Sequence, residues 1–153
     1  MYKLRVPEKI SILIADDDAD DRELIKAAFE EHGTAIQLNF VENGEELMHY
    51  LRRKGPYADE ATYPFPKLIL LDLNMPKKDG REALREIKTD KLLKALPVVI
   101  LTTSTEQKDI DKSYELGVNS FIIKPVTFTL LLDFTRTIIA YWTGIAQLPY
   151  ITV

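Results

Sequence analysis

Short apolar runs alternate along this chain with stretches of helical period. Residues 10–15 form a mostly apolar run that ends in Asp16-Asp17-Asp18. Beyond it Leu24, Ile25, Ala28 and Phe29 recur on one helix face, and Gly33 follows, which predicts a helix and its stop. Residues 36–41 alternate apolar and polar, as a strand does. Residues 45–53 predict a helix with Leu47, Met48 and Leu51 inward. Residues 54–66 hold glycine and prolines with little periodicity and predict a loop. Residues 68–71 and 97–101 are continuously apolar and predict buried strands. Residues 80–90 and 106–116 predict helices, the second closed by Gly117. Residues 120–123 predict a fifth strand. A long last helix runs from 127 to about 143, with Leu131, Phe134, Ile138 and Trp142 as its inward stripe.

Five strands thus alternate with five helices. Strands without a polar face are buried on both sides, the habit of a parallel sheet covered by helices, so the predicted fold class is a doubly wound α/β sheet. No linker or internal repeat divides residues 1–153, which predicts one domain with an apolar extension from about residue 143. In such sheets the ligand site lies beyond the carboxyl ends of the strands, where strand order reverses.

Composition narrows the class. An apolar fraction of 46% in 153 residues suffices for a packed core. A net charge of −4 argues against nucleic acid as a partner, because phosphate backbones are gripped by clustered Lys and Arg. Without cysteine, disulfides and thiolate metal sites are excluded. Residues 1–9 are charged and carry a proline, unlike a signal peptide, and no run of 18 apolar residues predicts a membrane span. The expectation is a soluble, cytoplasmic protein. With no second domain in the sequence, output is expected through a binding surface.

The residues at the strand ends carry the chemistry. They are Asp16 and Asp17 after the first strand, Asp72 after the third, Thr102 after the fourth, and Lys124-Pro125 after the fifth. The fold class brings them to one edge. Clustered carboxylates repel one another and call for a cation, and a hard oxygen-ligated ion, Mg2+ above all, suits them. A metal, a mobile ammonium, a hydroxyl donor and a nucleophilic aspartate are the parts that phosphoryl transfer needs. A lysine at such an edge is expected to be partly solvated and of little consequence for stability.

Four segments in order carry a resemblance to the CheY-type response-regulator receiver domain. They are Ile12-Leu13-Ile14-Ala15-Asp16-Asp17-Asp18, Leu70-Leu71-Asp72-Leu73-Asn74-Met75-Pro76, Val99-Ile100-Leu101-Thr102-Thr103-Ser104 and Ile122-Ile123-Lys124-Pro125. The resemblance implies a flavodoxin-like sheet of order 2-1-3-4-5. It implies Asp72 as phosphoacceptor from the phosphohistidine of a sensor histidine kinase. It implies Mg2+ on Asp17, Asp72 and the Asn74 main-chain carbonyl, with Asp16 assisting through water. Thr102 and Lys124 would contact the phosphoryl group. Thr102 and Phe121 would switch, and the peptide bond before Pro125 would be cis. The switch aromatic is often Tyr in this family; Phe121 has no hydroxyl, so switching must rest on packing. The long loop at 52–66 and the apolar tail are similar to receivers that partner bacterial and cyanobacterial phytochromes. Only slow self-dephosphorylation is expected, not turnover of a substrate.

Other readings compete. Haloacid-dehalogenase-type phosphatases also use an aspartate after a strand, but with a second Asp two residues on; here that position is Asn74, which cannot serve as a general acid. A receiver-like scaffold that takes no phosphate would lack an acid or the lysine, and this chain keeps them all. Asp18 is expected to cap the first helix, Ser104 to line the site's mouth, and His32 and His49 to lie on the surface without a role. The last helix exceeds one apolar stripe, since Phe128, Leu132, Ile139 and Tyr141 fall outside it. A homodimer through that helix and the tail is therefore expected, against the alternative of a tail folded back over a monomer.

Overall fold

The computed structural model describes residues 9–33 and 36–151. Most of the amino-terminal segment that was read against a signal peptide, and the last two residues of the tail, lie outside the described residues. Five parallel strands, β1 (Ile10–Ala15), β2 (Ile36–Val41), β3 (Leu68–Leu71), β4 (Val98–Thr102) and β5 (Ser120–Ile123), pair in the order β2-β1-β3-β4-β5. Four helices connect them, α1 (Ala19–Glu30), α2 (Gly44–Leu51), α3 (Gly80–Thr89) and α4 (Gln107–Leu116), and α5 (Phe128–Gly144) follows β5. The chain leaves β1 in one direction to reach β2 and in the other to reach β3. The switch point therefore lies between the carboxyl ends of β1 and β3.

The sheet separates two cores. On one face Ile12, Ile14, Leu70, Val99 and Leu101 pack against Ile25 and Phe29 of α1 and Leu131, Ile138 and Trp142 of α5. On the other, Leu13, Ile69, Leu71 and Ile100 pack against α2 and α3. Every residue of β3 and β4 is buried, as continuous apolar runs require.

Several boundaries differ from expectation for local reasons. Strand β4 begins at Val98, because Pro97 has no N–H to donate; its carbonyl still accepts from the Ile69 N–H at 3.0 Å. Helix α2 stops at Leu51, and Arg53 takes a left-handed conformation with φ of 58°. The loop at 52–66 is ordered by aromatic packing. Tyr50, Tyr57 and Tyr63 form a mutually contacting triad, the Tyr50 hydroxyl donates to the Pro64 carbonyl at 2.8 Å, and Arg53 donates to the Tyr63 carbonyl.

In α5 the buried stripe is Leu131, Thr135, Ile138 and Trp142, so Thr135 replaces Phe134. The Thr135 hydroxyl is satisfied by the Leu132 carbonyl at 3.1 Å and by His32 Nε2 at 2.9 Å, which removes the cost of burying it. His32, expected to be an idle surface residue, thus joins the end of α1 to α5. The tail folds back: Ala146 and Leu148 rest on the α1–α5 core and Ile151 on the opposite one. Among the described residues, no helix is long and apolar enough to cross a membrane.

Candidate functional site

The strand ends assemble a buried acid cluster. Asp16 follows β1 and is almost fully enclosed, its N–H donating to the Val41 carbonyl at 3.0 Å. Asp18 begins α1 as its N-cap, accepting from the Asp21 N–H at 3.0 Å, so the helix turns away and leaves Asp17 exposed at the rim. Asp72 follows β3 and is also buried. Thr102, the last residue of β4 rather than the first beyond it, is fully buried and donates its hydroxyl to Asp72 Oδ1 at 2.8 Å. The Asn74 N–H donates to the same oxygen at 3.1 Å.

Lys124 reaches in from β5. Its ammonium lies 2.8 Å from Asp16, 2.8 Å from Asp21 and 2.9 Å from Asp72. All three of its protons therefore have carboxylate partners. The side chain is 12% exposed, so the lysine keeps a little contact with solvent. Burial alone would lower its pKa, but the hydrogen bonds from Asp16, Asp21 and Asp72 outweigh it and raise it above that of an ordinary lysine. Burial likewise raises the Asp16 carboxyl above the ordinary carboxylate value, and there Lys124 only partly offsets it.

The peptide bond before Pro125 is trans, as are all peptide bonds among the described residues, and this corrects the cis bond implied by the resemblance. Trans is the lower-energy form of such bonds by roughly 0.5–1 kcal/mol, and from it Lys124 meets all three carboxylates.

Oxygen atoms of Asp16, Asp17 and Asp72 lie within 4.8 Å of one another. With Asp21 there are four carboxylates to one ammonium, an excess of negative charge that a divalent cation would compensate. The donor set is all oxygen and fits Mg2+. Phe121 is half-buried against the α2–α3–α4 core, and its N–H donates to the Tyr114 hydroxyl at 3.1 Å. Ser104 donates its hydroxyl to Asp109 at 2.7 Å. Thr103 is exposed.

The β3–α3 loop is held by a close approach at Gly80. Its N–H donates to the Leu73 carbonyl at 2.9 Å, and a Cβ there would collide with the Asp72 carbonyl oxygen. Sequence reasoning missed Asp21, Arg81 and Asp109. Asp21 stands three residues after the cap, so helical spacing placed it at the same end as Asp18. Arg81 and Asp109 meet across 28 positions of sequence with no local signal.

Residues 12–136 match the family of response regulator receiver domains. The chain belongs to that family. It is 40% identical to the response regulator Rcp1 of Synechocystis sp. over 146 residues, 94% of this chain and 95% of the relative. A crystal structure of the phosphorylated cyanobacterial phytochrome response regulator RcpA superposes with a TM-score of 0.84 at 42% identity, covering 92% of this chain and 99% of that one. The Mn2+-bound form of Rcp1 gives 0.82 at 38% identity, with the same shares covered. The receiver domain is a phosphoacceptor module of two-component signalling. The phosphatase reading therefore falls, in keeping with Asn74 where that enzyme class needs an acid.

Proposed function

We propose that Asp72 accepts the phosphoryl group of a histidine kinase's phosphohistidine. The single observation behind this reading is the environment of its carboxylate: one oxygen is held by Thr102 and Asn74, the other by Lys124. A carboxylate oxygen attacks phosphorus, the P–N bond breaks, and its electron pair leaves with the imidazole, which takes a proton from solvent. Lys124, already inside the site, moves its hydrogen bond from Asp72 to a phosphoryl oxygen. Thr102 turns its hydroxyl from the carboxylate to the same group. Mg2+ held by Asp17, Asp72 and the Asn74 carbonyl, with Asp16 behind, would neutralise charge on the transferring group. The chain then signals through altered shape rather than through turnover.

The partner kinase is of phytochrome type, a reading supported by the relatives Rcp1 and RcpA, the latter described as a phytochrome response regulator. Residues 1–153 act as one receiver domain located in the cytoplasm, with no nucleic-acid or membrane partner. Two copies pair through α5, where Leu130, Tyr141 and Ile145 stand in solvent on one side of the helix. On phosphorylation Thr102, Phe121 and α4 move together, because Tyr114 of α4 holds the Phe121 N–H.

The test is incubation with a small phosphodonor and Mg2+, followed by mass spectrometry of the modified peptide. Wild type is expected to gain one phosphoryl group on Asp72, and Asp72→Asn none. An undiminished yield in Asp72→Asn would overturn the assignment.

A further inference from the structure

Arg81, the second residue of α3, makes more polar contacts than its place in the sequence suggests. Its guanidinium grips Asp109 of α4 with two parallel bonds, Nε to Oδ1 at 2.8 Å and Nη2 to Oδ2 at 2.7 Å. The remaining nitrogen, Nη1, points back toward the cation loop, 3.3 Å from Asn74 Oδ1 and 3.5 Å from the Leu73 carbonyl. Asp79, the N-cap of α3, holds that nitrogen at 3.0 Å.

Asp109 is as closely fixed. It is 8% exposed at the side chain, accepts the Ser104 hydroxyl at 2.7 Å, and its carbonyl accepts the Ser113 hydroxyl at 2.7 Å. Arg81 holds its carboxyl well down, at about 2, so it is ionised throughout the physiological range. A solvent-exposed ion pair would carry little structural information. Here a planar fork meets a buried carboxylate bidentately, so position at one end is tied to position at the other. The contacts close a ring: Asp72 to Asn74, Asn74 to Arg81, Arg81 to Asp109, Asp109 to Ser104, and Ser104 along two residues of chain to Thr102, which returns to Asp72.

We propose that Arg81 is a positioning residue that couples the cation-binding loop to α4, so that Mg2+ binding and the position of α4 each bias the other. The inference rests on the phosphoacceptor reading of the same site. Arg81 touches neither the cation nor the phosphoryl group; it acts through Asn74, whose main-chain carbonyl is the proposed ligand. A displacement of Asn74 reaches Asp109 by way of one rigid side chain. By reciprocity, a partner that shifts α4 alters the affinity of the site for Mg2+.

The test is calorimetric titration of Mg2+ into wild type, Arg81→Gln, Asp109→Asn and the double variant, with amide shifts of α4 followed by NMR during the same addition. Loss of a group that orients a metal ligand typically costs tenfold or more in affinity, so each single variant is expected to weaken Mg2+ by about tenfold. The double variant is expected to be no weaker than the poorer single one, because both remove one link. Wild type should show Mg2+-dependent shifts at Asp109 and Ser113 that the variants lack. Arg81→Lys keeps the charge without the fork, and it is expected to follow Arg81→Gln. Wild-type Mg2+ affinity and wild-type α4 shifts in Arg81→Lys and Asp109→Asn would overturn the coupling alone. Failure of wild type itself to bind Mg2+ would instead remove the phosphoacceptor reading and this proposal with it.

Discussion

Two buried carboxylates with opposite environments set opposite pH dependences. Asp16 is raised by burial above its ordinary value of 3.8. A raised carboxyl supports the fold fully below its unfolded value, and that support is lost as pH rises through the folded one. Asp16→Asn should therefore raise stability at pH 7 without divalent ions, by about 1 kcal/mol, and leave it nearly unchanged at pH 3. Urea titrations at the two pH values check this. Equal effects at both would contradict it. Asp109 is lowered to about 2 by Arg81, so its contribution is present above the ordinary carboxylate range and lost as pH falls toward 2. Asp109→Asn should cost about 1–2 kcal/mol at pH 7, discounted because Arg81 is 41% exposed, and progressively less in acid. Gly80 gives a third residue-level expectation. With a Cβ aimed at the Asp72 carbonyl oxygen and 2.7 Å from the Leu73 Cα, Gly80→Ala must displace the loop. A loss of about 2 kcal/mol or more is expected in thermal unfolding, together with loss of Mg2+ binding.

At the scale of elements, the strands were legible and the helix ends less so. Strands β1, β2, β3 and β5 coincide with the sequence reading, because apolar runs bounded by polar residues leave little room for another register. The acid, hydroxyl and lysine positions followed from those strand ends. The buried stripe of α5 departs from the apolar period at one position, since a period cannot tell that Thr135 finds partners in His32 and Leu132. Nor could it tell that Asp21 would share Lys124, a contact spanning 103 positions. The cis bond before Pro125 came from resemblance, and the trans backbone delivers the lysine all the same. Thr135→Val would leave the His32 ring nitrogen without its hydroxyl partner. It is expected to cost about 1 kcal/mol, read from chemical denaturation.

For the whole molecule, the choice between dimer and folded-back tail turns out not to be exclusive. The tail covers parts of both cores, while Leu130, Tyr141 and Ile145 of α5 and its end stay exposed. If that remaining face pairs two copies, Tyr141→Lys should shift sedimentation from dimer to monomer without unfolding, and wild type should remain dimeric at tens of micromolar. A wild type that is monomeric with and without a phosphoryl mimic would defeat the pairing. Truncation after Thr143 should lower stability by about 2 kcal/mol, because it removes Leu148 and Ile151 and uncovers the apolar core surface on which they rest.

The returning tail also fixes how the molecule can be handled. Helix α5 runs back along the sheet, and Tyr150 lies near Lys67 at the start of β3, with the ammonium 6.0 Å from its ring. Asp72 lies just past the other end of the same strand, five positions from Lys67, so the two are roughly 17 Å apart. Tyr150 is 86% exposed. A tether or fluorophore carried there would anchor the molecule by its blunt end and leave the acidic mouth facing outward. A surface coated in this way would present every receiver to an incoming kinase in the same orientation.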